Sequence, residues 1–380
     1  MNFGFTEEQE LLRKTARDFL AQHAASARVR RVLEGPETHS QELWRGMAEL
    51  GWLGLALPEA LGGAGLGPVE LAIVAEELGR RLAPAPFLPT ALAAAALLEA
   101  GDASQQAAWL PRIAAGECIA TLAITEERGS EEPADLVASA LRDGRGGFRI
   151  VGAKLFVPDA AAADLIVVVA RTEPGSEEAE RGLALFLVPR GTAGVRIEPL
   201  PSMDLLRPLY RVEFESAALP AEALLGGAGN AWPRIRRTLD RGLVMISAEM
   251  VGGAQECLDA AVSYAKERVQ FGKPIGVNQA IKHKCADVLF RVESARALTY
   301  YAALMWAEGR DEAPLCAAMA KAWCSDAYRH AAAENLQIHG GAGFTWEFDC
   351  HLFLKRAKSD ESWLGDGRQN RERVARLLRL

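Results

Sequence analysis

Apolar residues recur every three to four positions from Leu11 to Ala115, every second position or in β-branched clusters from Cys118 to Phe214, and again every three to four from Ala231 onward. Helices, strands and helices are therefore predicted in that order. Thr6 with Gln9 three residues later forms a capping-box pattern. Leu11, Leu12, Ala16, Phe19 and Leu20 follow at helical spacing, so a helix of about five turns opens the chain. Further helical patterns cover residues 40–50, 67–82, 89–100 and 104–115. The strand patterns lie at 119–125, 148–157, 165–170, 183–188, 195–200 and 209–214, separated by charged or Gly/Pro-rich turns. The polar, Glu-rich stretch 173–180 reads as a mobile, solvated hairpin tip.

After residue 231 the pattern supports helices at 232–270, 279–309, 314–338 and 347–363, with a short terminal helix from Arg368. Helices this long bury apolar stripes against one another as an antiparallel bundle. The expected fold class is α+β: an all-helical domain over 1–117, a barrel- or sandwich-like β-domain over 118–226, and a four-helix bundle over 227–380. No internal repeat is visible.

Composition narrows the function. At 380 residues and 49% hydrophobic, the chain can bury a large core. Its net charge of −7, with no dominating Lys/Arg block, argues against a nucleic-acid partner. Cys118, Cys257, Cys285, Cys316, Cys324 and Cys350 form no Cys-x-x-Cys pair and no metal-ligand spacing with His, which reads as free thiols in a reducing compartment and no metal. The start lacks a basic, apolar leader pattern, and the alanine-rich run 91–98 is too short to span a bilayer. A cytoplasmic protein without a membrane span is expected.

The stretch most suggestive of chemistry is Gln337-Ile338-His339-Gly340-Gly341-Ala342-Gly343-Phe344, between two helical runs. Glycines there let backbone approach a phosphate, although the same pattern also serves as a plain turn. His283 and His339 read as structural histidines, and the glycines of segment 58–65 as turn formers.

Two further segments complete a recognisable set. Glu267-Arg268-Val269-Gln270-Phe271-Gly272-Lys273-Pro274-Ile275, followed by Gln279-Ala280-Ile281, resembles the Arg-x-x-Phe-Gly…Gln segment of the acyl-CoA dehydrogenase family. Residues 337–344 resemble its Gln-x-x-Gly-Gly-x-Gly segment, and the domain order is similar over the whole chain. The resemblance implies an FAD enzyme that removes two hydrogens across the α and β carbons of an acyl-CoA, with a carboxylate taking the α proton. It implies that Arg268, Phe271, Gln279, Gln337, Gly340 and Gly341 serve the ADP half of a neighbouring subunit's FAD. Segment 122–126, with Ala123 and Thr125, resembles the strand that meets the flavin ring, and Thr125 would donate a hydrogen bond.

The sequence also departs from the family. After Glu126 the chain reads Glu127-Arg128-Gly129-Ser130-Glu131-Glu132 in place of the usual Pro-Gly-Ala-Gly-Ser-Asp. Phe156 stands where the family has a stacking Trp, and Pro158 where it has a hydroxyl residue. The usual base seat near the C-terminus holds Leu364, and the alternative seat on the first bundle helix holds Gly242. Asp366 and Glu249 are the nearby acids, each with a structural alternative: Asp366 shaping a turn, Glu249 paired with an Arg.

Three readings follow. One is the base-lacking subunit of a hetero-oligomer with a paralogous chain, acting on a bulky or polar acyl-CoA in fatty-acid or steroid side-chain degradation. Another is an active homo-oligomer using Asp366 or Glu249. The third is a flavin oxidase or monooxygenase on the same fold. The family implies an electron-transfer flavoprotein as acceptor.

Overall fold

The computed structural model describes residues 4–144, 146–173, 178–227 and 230–380. The helices are α1 (Glu7–His23), α2 (Ser26–Glu34), α3 (Gln41–Glu49), α4 (Pro68–Arg80), α5 (Phe87–Ala100), α6 (Ala103–Ala114), α7 (Trp232–Glu267), α8 (Gln279–Ala307), α9 (Ala313–His339), α10 (Cys350–Ser362) and α11 (Gly367–Leu377). The strands are β1 (Ala120–Ala123), β2 (Ser139–Arg142), β3 (Phe148–Pro158), β4 (Leu165–Arg171), β5 (Leu183–Pro189), β6 (Val195–Leu200), β7 (Leu209–Leu219), β8 (Leu224–Leu225), β9 (Val269–Gln270) and β10 (Lys273–Pro274). This is an α+β fold: helices first, a central sheet, then a helical domain.

The chain divides into two compact units. One comprises Met1–Pro36, Gly67–Pro84 and Leu243–Leu380. It holds α1, α2, α4, α8 to α11 and α7 from residue 243 onward. The capping box at its start is formed: Thr6 Oγ1 accepts from Gln9 N at 3.2 Å, and Gln9 Oε1 accepts from Thr6 N at 3.0 Å. Its long helices approach closely where glycine allows. A Cβ on Gly79 would lie 2.0 Å from the Glu249 carbonyl oxygen, and one on Gly252 would lie 1.8 Å from that of Glu76. Helices α4 and α7 thus touch backbone to backbone at two reciprocal glycines.

The other unit comprises Glu37–Leu66 and Ala85–Gly242. Among the described residues its strands make one eight-stranded sheet in the order β6-β7-β3-β2-β4-β5-β8, with β1 pairing in parallel to β4. Strand β4 carries β1 along residues 165–168 and meets β2 only at Arg171, so the sheet branches there. Strands β4 and β5 are buried along nearly all their length, which explains their unbroken apolar sequences. Helix α5 covers β1, where Thr90 Oγ1 donates to Ala120 O at 3.0 Å.

The elements absent from the sequence reading are the weak ones. Helix α2 buries only Val29, so its apolar stripe is too narrow to read. Strand β2 has four residues and β8 two. Of the hairpin tip expected at 173–180, residues 174–177 lie outside those described.

Candidate functional site

The end of α7, the start of α8 and the end of α9 meet around a small apolar nucleus of Ala261, Ala265 and Ile338, with Ile275 and Ile281 packed against it. That nucleus brings Arg268, Phe271, Gln279 and Gln337 to one corner of their unit, all exposed. Between α7 and α8 the chain turns through the hairpin β9–β10, where Gln270 pairs with Lys273. Its two turn residues, Phe271 and Gly272, have φ of 52° and 76°. Positive φ at both positions marks a type I′ turn, costly for a phenylalanine by about 1–2 kcal/mol. The strain presents the Phe271 ring to solvent at 102% exposure.

On the other side of the corner, α9 ends at Gly340 with φ 62° and ψ −141°, a conformation glycine adopts freely. A Cβ on Gly340 or Gly341 would meet nothing within 4 Å, so this backbone is open to a ligand. His339 is buried beneath, its ring stacked 4.1 Å from Tyr264 and its Nδ1–H donating to Asn335 O at 2.8 Å. Burial lowers its pKa, so the imidazole stays neutral near pH 7. An exposed guanidinium, amide side chains and bare glycine backbone form a chemistry suited to a phosphate-bearing ligand. His283 is exposed on α8.

In the sheet unit, Thr125 and Phe156 are brought side by side, because Leu155 N donates to Thr125 O at 2.8 Å. The β3–β7 register shifts between Lys154 and Val157, and within that bulge Phe156 takes φ 55°. Its ring is 48% exposed, an aromatic face held outward by strained backbone. Lys154 beside it is fully buried and donates to Glu126 Oε1 at 2.6 Å and Ile124 O at 3.0 Å. Burial pushes the Lys154 ammonium below its ordinary pKa, against the attraction of Glu126. The Glu126 carboxylate also accepts from Val137 N and Ala138 N, tying down both ends of the segment between. The Thr125 hydroxyl donates to Glu131 Oε1 at 3.0 Å. Pro158 has no N–H, and its carbonyl accepts from Thr121 Oγ1 at 2.8 Å. Ala123 is fully buried in β1, where it pairs with Val168 of β4.

The two candidate acids, Glu249 and Asp366, are both engaged in structural contacts. Glu249 Oε1 accepts from Arg356 Nη1 at 2.7 Å, with both side chains buried. Asp366 is the N-cap of α11: its Oδ1 accepts from Gln369 N at 2.7 Å, while Gln369 Oε1 accepts from Asp366 N at 2.8 Å. Leu364 is buried and left-handed at φ 61°. Buried Lys321 clamps the turn that follows by donating to Gly365 O at 2.8 Å and Glu361 O at 3.0 Å. Asn370 Nδ2 donates to the same Gly365 O at 2.9 Å. Gly242 lies inside α7, 249 − 242 = 7 residues or about 10 Å from Glu249.

Lys321, Arg356 and Asn370 were not singled out from sequence. For Lys321 a signal exists: it interrupts the apolar run Ala317, Ala318, Ala320, Ala322, where a lysine is buried only if its charge has partners. Arg356 and Asn370 carry no comparable local mark.

Among the described residues no helix is long and apolar enough to cross a membrane. Models of the acyl-CoA dehydrogenase N-terminal, middle and C-terminal domains match residues 6–117, 121–217 and 229–378. A relative in Mycobacterium tuberculosis, acyl-CoA dehydrogenase IpdE2, is 34% identical over 364 residues, covering 96% of this chain and 95% of its own. The solved butyryl-CoA dehydrogenase of Megasphaera elsdenii superposes with TM-score 0.92 at 27% identity and covers 100% of both chains. A chain of the ChsE4–ChsE5 complex from Mycobacterium tuberculosis gives TM-score 0.90 at 29% identity, covering 100% of this chain and 99% of that one.

Proposed function

Because this chain belongs to the acyl-CoA dehydrogenase family, whose members are FAD-dependent oxidoreductases, we propose that it is the base-lacking subunit of a hetero-oligomeric acyl-CoA dehydrogenase. When bound, FAD supplies the acceptor for the β hydrogen as hydride, and the α proton must go to a protein carboxylate. In this reading the corner of Arg268, Phe271, Gln279, Gln337, Gly340 and Gly341 holds the ADP half of an FAD whose ring lies on a paralogous partner. The corner fits that group: its glycine backbone is open, and Arg268 just past the end of α7 is exposed and offers a guanidinium suited to phosphate. The sheet fits the ring only in part. Phe156 offers a stacking face, but the Thr125 hydroxyl already donates to Glu131, and Pro158 has no N–H to donate.

The observation that carries the reading is the state of the carboxylates. Leu364 and Gly242 fill the two seats, and the acids nearby are engaged in a buried ion pair and a helix cap. Each carboxylate is committed to a structural contact, Glu249 to a buried guanidinium and Asp366 to the first turn of α11. The ChsE4–ChsE5 complex supports the reading as a relative made of two different chains. An electron-transfer flavoprotein as acceptor belongs to the same proposal.

The test separates cap from base. Asparagine caps a helix about as well as aspartate but cannot accept a proton as a carboxylate does. In a complex with a paralogue that carries a glutamate at either seat, D366N in this chain leaves turnover unchanged. A loss of roughly 10²-fold or more would assign general-base chemistry to Asp366 and overturn the reading.

A further inference from the structure

The segment after β1 folds back on the strand it leaves. Its two ends are tied together by the Glu126 carboxylate, which accepts from Val137 N at 2.8 Å and Ala138 N at 3.0 Å. Within it, Arg128 pairs with Asp135 at 3.1 Å, and buried Ser130 Oγ accepts from Glu132 N at 3.0 Å. Glu131 sits between these anchors with Oε1 3.0 Å from the Thr125 hydroxyl.

We propose that Glu131 is a specificity-determining residue that keeps the flavin ring off this chain's own sheet, by accepting the one hydrogen bond the Thr125 hydroxyl can donate and setting a carboxylate beside it. A threonine hydroxyl has a single proton to donate, and an ionised carboxylate is acceptor only. The polar edge of an oxidised isoalloxazine presents two carbonyl oxygens and the nitrogens N1 and N5 as acceptors against the single N3–H. Glu131 therefore meets mostly like with like. The neighbouring Pro158 offers no donor to compensate. The aromatic face of Phe156 remains, so the strand keeps the stacking surface and has lost the polar selection. This deepens the base-lacking reading and rests on it: the chain would hold the ADP half for its partner while declining the ring itself.

The experiment is an FAD titration of the purified full chain, followed by flavin fluorescence, for the wild type, E131A, T125V and the double variant. E131A binds FAD about 10-fold tighter than wild type, as one freed charge-scale hydrogen bond predicts. T125V alone changes affinity little, because its hydroxyl is already engaged, and the double variant tightens FAD less than E131A does, because no freed hydroxyl is left to donate. Unchanged or weaker binding by E131A overturns the proposal, as does an equal T125V effect with and without Glu131. Should E131A melt at lower temperature than wild type, E131Q keeps the side chain's shape and removes its charge. Its amide oxygen still accepts from Thr125, so it tightens FAD only through the lost charge and less than E131A, and unchanged affinity again overturns the proposal. The base-lacking reading fails separately, if an acyl-CoA bleaches the flavin of wild type or E131A, and that outcome leaves the binding constants standing.

Discussion

Leu364 is an apolar residue in a conformation that costs an L-amino acid about 1–2 kcal/mol, next to a turn clamped by Lys321 and Asn370. The surroundings over-determine the backbone at this position. The acids nearby serve structure by different means. Asp366 caps α11, a role visible in the sequence as Asp366 followed three residues later by Gln369. Glu249 has its partner 107 residues away, a pairing no local pattern discloses. A structural role for that pair makes a definite prediction. E249L leaves Arg356 buried without its charge partner and costs about 3–5 kcal/mol, whereas E249L/R356L recovers most of the loss. Urea unfolding of the three proteins measures both numbers. Equal destabilisation by the single and the double variant would contradict a pairing role.

Elements were legible in proportion to their length and burial. Helices α7, α8 and α9 run 36, 29 and 27 residues and carry sustained periodicity, and β4 and β5 are continuous apolar runs. Helix α2 and strand β2 are short and mostly solvated, so tertiary contacts decide them instead of pattern. The β9–β10 hairpin was legible only as an interruption, since its Phe271-Gly272 turn departs from the Asn-Gly type that announces a type I′ turn. Helix packing was not legible at all. Gly252 and Gly253 look like poor helix formers in α7, yet a Cβ on Gly252 would reach 1.8 Å from Glu76 O, and one on Gly253 would reach 2.3 Å from the Tyr328 ring. G252A therefore loses stability at or beyond the upper end of the ~1–3 kcal/mol usual for overpacking, despite its better helix propensity. A melting temperature equal to or above wild type for G252A would contradict the close α4–α7 approach.

For the whole molecule, the family could be read from sequence because its motifs are local. The Arg268 to Gln279 segment and the glycine turn are short strings whose chemistry requires those residues in that order. The buried partner of Glu249 demanded the structure, because Arg356 lies far from it in sequence. Glu131 lay in the stretch that departs from the family, and its effect on Thr125 came from a fold-back that sequence does not encode locally. The account as a whole rests on one claim, that this chain alone cannot abstract the α proton. The most direct measurement is to purify the chain by itself, as wild type and as E131A, saturate each with FAD above the dissociation constant read in the titration, and add short, branched and steroid-like acyl-CoAs without oxygen while recording the visible spectrum. The account predicts that the flavin band persists with every thioester and bleaches only when a paralogue carrying the glutamate is supplied. Bleaching by the isolated chain would contradict it and place a working base among its own residues.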